Sequence, residues 1–174
     1  SATYWTTATY EKLVDKKFLY VRISGKKITL KKSIEKIFKK EKNSEKLEDG
    51  MSFWSKVRNQ ELSFFSDELA SNVNLWRLSV PNNAALNIVS NSEMVVEWNG
   101  SLRGIKSEAE PMLIRKKISE IGGHATIYRG TKEARKKFGC FTPLDSTARG
   151  IHTNIKQVFA PDSIFNPGRL YSFM

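Results

Sequence analysis

Hydrophobic positions fall in two rhythms along this chain. The run Phe18-Leu19-Tyr20-Val21-Arg22-Ile23-Ser24 is rich in aromatic and β-branched residues and ends at Gly25, which predicts a strand. Ile34, Ile37 and Phe38 then recur at helical spacing, predicting a helix over 30–40 with Thr29 as its N-cap. The polar stretch 43–50 reads as a loop. Asp49 is placed to cap a second helix carrying Met51, Phe53, Trp54 and Val57, and Leu62, Phe64 and Phe65 follow as an apolar knot.

The second half has a more regular grammar. Leu75–Val80 is a strand stopped by Pro81, and a short helix is expected over 84–88. Glu93–Trp98 is the next strand. Asn99-Gly100 signals a hairpin, because both central residues of a type I′ turn need positive φ. The returning strand runs from Ser101 to Ile105. Ser107 and Glu110 stand at capping-box spacing before a helix reaching Ile121, and Gly122-Gly123 breaks it. His124–Arg129 is a fourth strand, and a last helix spans 147–159. The order strand, helix, strand, strand, helix, strand is the split βαβ pattern. The expected fold is therefore α+β and ferredoxin-like: an antiparallel sheet with helices on one face, in a single domain over 1–174.

Charge and composition narrow the partners. The chain has 174 residues, 40% of them hydrophobic, enough for a real core. Its net charge is +11, which raises nucleic acid as a partner. The lysines between Lys26 and Lys46 are interleaved with Glu35, Glu41 and Glu45, however, as on a solvated helix face. No nucleic-acid-binding motif accompanies them, and the sheet lacks an obvious pair of exposed aromatics for base stacking, although Tyr128 is one candidate. Such a basic surface also suits an acidic partner subunit or anionic lipid. No apolar run is long enough to span a bilayer, and no signal peptide is visible. Ser1 is not a natural initiator, so a fragment of a longer protein is expected. The single Cys140 excludes an internal disulfide and a cluster ligated by cysteines of this chain alone.

Candidate chemistry gathers on the sheet. Residues two apart along a strand share a face. Arg77, Ser79, Glu97, His124, Thr126 and Tyr128 fall opposite the apolar positions, with Arg103 joining them from the hairpin. Such a face is either wetted by solvent, as one side of an antiparallel sheet often is, or it roofs a polar ligand. In the second case Arg77 or Arg103 would hold a carboxylate, since a guanidinium matches its two oxygens. His124 would take or give a proton near neutral pH. With His124 and His152 the only histidines, no residues stand at metal-ligand spacing. No phosphate-binding glycine loop and no nucleophile elbow occur.

The tail is the most specific segment. Pro161 stops the last helix, and Asn166-Pro167-Gly168 fixes a turn beside Arg169. On the residues alone this reads as a packed C-terminal tail that staples the last helix down.

Phe165-Asn166-Pro167-Gly168-Arg169-Leu170-Tyr171 resembles the closing signature of FAD-linked oxidases of the vanillyl-alcohol oxidase type, in particular the FAD-binding subunits of bacterial glycolate oxidases. The resemblance extends in order along the chain: Tyr20–Gly25, Phe53-Trp54 to Arg58, Leu62–Phe65, Leu75–Pro81, Glu97–Arg103, Gly122–Gly130 and Phe141–Leu144. It implies the α+β cap half of such a protein, truncated at its N-terminus, with the FAD-binding domain absent. The implied reaction is oxidation of a 2-hydroxy acid, glycolate first, to the 2-oxo acid, with FAD held mainly by the missing domain. Arg77, Arg103 and His124 become catalytic candidates. Asn166 and Arg169 become cofactor-proximal or interface candidates. The implied partners are the chain's own FAD-binding domain, another flavin subunit and an iron–sulfur subunit. The implied location is cytoplasmic, or peripheral at the inner membrane through those subunits. The alternative is a non-catalytic assembly module of the same complex.

Overall fold

The structure is a computed structural model and describes residues 3–6, 18–66, 68–86, 88, 89 and 92–174. The chain divides into two compact units, one formed by 1–68 with 95–99 and the other by 69–94 with 100–174. The architecture is α+β, as the sequence pattern predicts.

In the first unit, strand β1 (Thr3–Thr6) pairs antiparallel with β2 (Phe18–Val21) on one side and with Val95 and Val96 on the other. β2 stops at Val21, three residues short of the expected strand. Helix α1 (Lys27–Lys40) begins ahead of the expected Thr29 cap, because the Leu30 amide already bonds to the Lys26 carbonyl at 2.9 Å. Helix α2 (Gly50–Asn59) starts where Asp49 accepts from the Ser52 amide at 3.2 Å, satisfying one of the free N–H groups of its first turn. Phe53 of α2 lies 4.4 Å from the Tyr20 ring and 5.4 Å from Trp54. The one-turn helix α3 (Ser63–Ser66) brings Phe64 and Phe65 edge to face at 5.0 Å. With Val57, Leu62, Val95 and Val96 these two rings are the buried hydrophobic residues of the unit among those described.

The second unit is built on β3 (Asn74–Ser79), β5 (Leu102–Ser107) and β6 (His124–Arg129), with β3 central and antiparallel to both neighbours. The opening residues of β4 (Glu93–Glu97) lie outside β5, where Glu93 meets Lys106 in an ion pair of 3.1 Å. The order β4-β5-β3-β6 is the one a split βαβ unit requires. The first crossover differs from expectation. Its described residues in 84–88 form turns rather than a helix, and Asn87 lies outside the described residues. The hairpin into β5 turns at Asn99 (φ 54°) and Gly100 (φ 96°), both in the left-handed region, as predicted. A side chain at Gly100 would also press on the Asn82 carbonyl oxygen at 2.8 Å.

Helix α4 (Pro111–Glu120) covers the apolar side of this sheet. Glu110 itself is its N-cap, accepting from the Leu113 amide at 3.0 Å, and Pro111 occupies the first turn where its missing N–H costs nothing. Ile114 and Ile118 are buried along with Trp76, Leu78, Ile105, Ala125 and Ile127. Gly123 lets α4 come back close to β3, since a Cβ there would meet the Ser79 carbonyl at 2.7 Å and the Ile118 methyl at 2.9 Å. Helix α5 (Lys132–Phe138), capped by Thr131, follows β6, and α6 (Ser146–Phe159) is capped by Asp145, one residue earlier than expected.

Candidate functional site

Cross-strand register decides which side chains meet. Arg77 stands opposite Gly104 on β5 and Thr126 on β6, while Ser79 stands opposite Leu102 and His124. Directly opposite residues share a face, so Arg77, Ser79, His124 and Thr126 lie on one side of the sheet. Arg77 and His124 are diagonal neighbours on that face, about 7–8 Å apart by strand geometry. Gly104 leaves the ground beside Arg77 free of a side chain. Arg77, Ser79 and His124 are all exposed, so a guanidinium, a hydroxyl and an imidazole are open to a small polar ligand. Glu97 belongs to the first unit. The ladder between β3 and β6 skips Tyr128, at a bulge where Leu75 pairs with Arg129 and Trp76 with Ile127.

Arg103 is not on that face. It pairs with Leu78, which places it on the buried side, and only 1% of its surface is accessible. Its guanidinium donates to three carbonyls: Gly100 at 3.1 Å, Ala84 at 2.7 Å and Ala85 at 2.5 Å. Burial lowers its pKa from the usual arginine value. The side chain clamps the hairpin to the crossover segment and has no free donor fork to offer a carboxylate. It also explains the missing crossover helix, because the Ala84 and Ala85 carbonyls are engaged by a side chain.

A second buried arginine carries no expectation from sequence. Arg115 of α4 donates to the Phe138 carbonyl at 2.5 Å and the Gly139 carbonyl at 2.8 Å, which closes the C-terminal end of α5. Its charge lies 5.8 Å from the Trp76 ring centre. Burial lowers its pKa, partly countered by Cys140, Tyr171 and Glu110.

Beside β6 the chain forms a cleft of about 190 Å³. Its polar lining comes from His124, Thr126, Thr142, Asp145 and Tyr171, and Phe141 forms part of its apolar wall. Three of these side chains are fixed by hydrogen bonds. The Thr142 hydroxyl accepts from the Ala125 amide at 2.9 Å and donates to the Ala125 carbonyl at 3.0 Å. The Tyr171 phenol donates to the Thr142 carbonyl at 3.1 Å. Asp145 accepts from the Ala148 amide at 2.8 Å. Burial pushes the Tyr171 phenol above its usual pKa, and the nearby Arg115 charge pulls the other way. His124 thus sits where the exposed sheet face runs into a half-enclosed cleft. Strand alternation alone does not point to Asp145 and Tyr171 as lining residues. The Asp-Ser-Thr start of α6 carried a signal for the first, as a cap, and none marked the second.

The tail is stapled at its very end. Tyr171 stacks on Phe173 at 5.5 Å, meets His152 of α6 edge-on at 6.2 Å, and Arg149 lies 4.3 Å over the Phe173 ring. Between this anchor and α6, Asn166 (φ 47°) and Gly168 (φ 66°) shape an exposed turn in which the Arg169 amide bonds to the Asn166 carbonyl at 3.2 Å. Both Asn166 and Arg169 are exposed. α6 also keeps its apolar stripe outside: Ile151, Ile155, Val158 and Phe159 are each more than half exposed. In the tail Ile164 and Phe165 are exposed as well.

Among the described residues no cluster could hold a metal ion, and no helix is long and apolar enough to cross a membrane. No protein-family model and no solved structure matches the chain. Over 120 residues it is 37% identical to glycolate oxidase subunit GlcE of Escherichia coli (strain K12), a match covering 69% of this chain and 31% of that protein. The chain thus aligns with about a third of its relative's length. The ordered series of motifs and this identity lead to one conclusion: over the aligned residues the chain is a relative of the glycolate oxidase subunit GlcE.

Proposed function

We propose that this chain is the cap of a glycolate oxidase subunit, lying over FAD and substrate that a separate flavin-binding domain holds. The observation that carries the reading is the exposed polar face of β3 and β6, with Arg77 and His124 at diagonal spacing and the cleft beside them. The residues present fit a lid over the flavin rather than its pocket. They offer polar groups on an open face but no glycine-rich turn to cradle a pyrophosphate. Bound FAD supplies the hydride acceptor for conversion of a 2-hydroxy acid such as glycolate to its 2-oxo acid. Arg77 holds the substrate carboxylate, with Ser79 and Thr126 as neighbouring donors. His124 takes the hydroxyl proton as the α-carbon is oxidised.

The α6 stripe, with Asn166 and Arg169 on the adjoining turn, faces the flavin-binding domain. Burying four apolar side chains on a helix of this length calls for a continuous partner surface, such as a domain of the same protein. That exposed stripe equally favours a second reading, a non-catalytic assembly module contacting another flavin subunit or an iron–sulfur subunit.

Single substitutions in the full-length protein separate the two. Arg77→Ala and His124→Ala are expected to lower turnover at least about tenfold while flavin content and complex assembly stay intact. Intact turnover in both variants would leave the assembly reading standing and end the catalytic one.

A further inference from the structure

We infer that α1 is a docking face for an anionic lipid surface. Residues 22–46 hold ten basic and three acidic side chains, so they supply +7 of the chain's +11. Within α1, Lys32, Lys36, Lys39 and Lys40 recur at i, i+4, i+7 and i+8 and form one row, about 12 Å long at the helical rise. Leu30, Ile34, Ile37 and Phe38 take the opposite side and are markedly less exposed than Ile28, which stands 76% open at the margin of the lysine row. Every lysine of the helix is exposed, and none is in an ion pair among the described residues. Helix-terminal charge explains Lys39 and Lys40, which stabilise the C-terminal end of the dipole. It leaves Lys32 and Lys36 unexplained.

The chemistry of the row selects among anionic partners. It contains no arginine, and protein interfaces favour arginine, whose planar fork fixes a carboxylate, over lysine. No aromatic side chain interrupts it to stack on a base. Flexible point charges on long apolar stems suit a laterally mobile sheet of phosphate headgroups, and Ile28 is placed to enter the interfacial region. The contact is peripheral and electrostatic, and it belongs to this chain rather than to any partner subunit.

Flotation of the full-length protein with vesicles tests this. Binding is expected to vesicles of phosphatidylcholine with about a third phosphatidylglycerol, to be absent with phosphatidylcholine alone, and to be lost on raising the salt from about 0.1 to 0.5 M. The quadruple change Lys32→Glu, Lys36→Glu, Lys39→Glu and Lys40→Glu should lower partitioning more than about tenfold with an unchanged circular dichroism spectrum. Reversing Lys132, Lys136 and Lys137 of α5 should leave it within about threefold, since the patch and not net charge is at issue. Should the quadruple variant misfold, Lys32→Gln with Lys36→Gln gives the same reading at smaller amplitude. Equal binding by wild type and the α1 variants, or equal loss from the α5 changes, overturns the proposal. So does a row that ignores both vesicle types and instead captures RNA or an acidic subunit.

Discussion

Arg103 and Ala85 are joined by a 2.5 Å hydrogen bond that ties the returning strand of the hairpin to the crossover before it. Two further carbonyls share the same guanidinium, so the charge is dispersed over three peptide dipoles in a site closed to water. Arg103→Ala therefore leaves three acceptors without a donor. Denaturant unfolding should show a loss of about 2–4 kcal/mol, and Arg103→Lys should recover only part of it because a single ammonium cannot span all three carbonyls. Arg77→Ala on the open face should stay within about 0.5 kcal/mol of wild type in the same assay.

Tyr171 gives the tail a pH dependence of known sign. Its folded pKa is raised above the ordinary value of 10.0, so the folded chain holds the phenolic proton more tightly than the unfolded chain does. The associated stability is fully present below that value and drains away as the pH rises through it. Thermal melts should fall more steeply above about pH 10 in wild type than in Tyr171→Phe. At neutral pH the phenylalanine variant should be weaker by about 0.5–1.5 kcal/mol for the lost bond to Thr142.

Gly100 is constrained twice, by a φ of 96° and by the Asn82 carbonyl 2.8 Å from where a Cβ would sit. Gly100→Ala is expected to cost about 1–3 kcal/mol, read as a shifted denaturation midpoint with an unchanged slope. Asn99→Gly, which keeps the left-handed turn accessible, should cost far less.

The apolar stripe of α6 makes a prediction of the opposite kind. Ile155→Asp with Phe159→Asp should leave the thermal midpoint of the 174-residue chain almost unchanged, because neither side chain is buried within it. In the full-length protein the same pair should reduce flavin retention or subunit assembly, measured by absorbance and by size-exclusion chromatography.

Much of the second unit was readable from alternation. Trp76, Leu78 and Ile127 fall on the buried side as their spacing predicts, and Asn99-Gly100 turns as its φ demands require. The misplacement of Arg103 shows the limit. A charged residue suggests solvent, yet Ile105 two positions on shares its face and is buried, so the parity of the strand outranked the charge. The described residues of 84–88 do not take the expected helix, and the carbonyls of Ala84 and Ala85 serve Arg103, a tertiary contact no local propensity records. α5 leaves no hydrophobic pattern in the sequence, because Lys132–Phe138 is almost wholly polar and is held by Thr131 at one end and Arg115 at the other. The four residues of β1 likewise carry too little pattern to mark a strand. Of the candidate site, Arg77 and His124 were legible as face residues, while the cleft depends on Tyr171, brought back from the far end of the chain.

The bonds that join residues 140–142 to β6 have a consequence for life in a crowded solution. The Ile127 amide gives its proton to the Cys140 carbonyl at 2.8 Å, and Thr142 saturates both polar groups of Ala125. A border strand with bare amides invites pairing with strangers, the first step toward fibrils. Here that invitation is withdrawn by the chain's own next segment, and Pro143, which has no amide proton to give, keeps the seam from being copied outward.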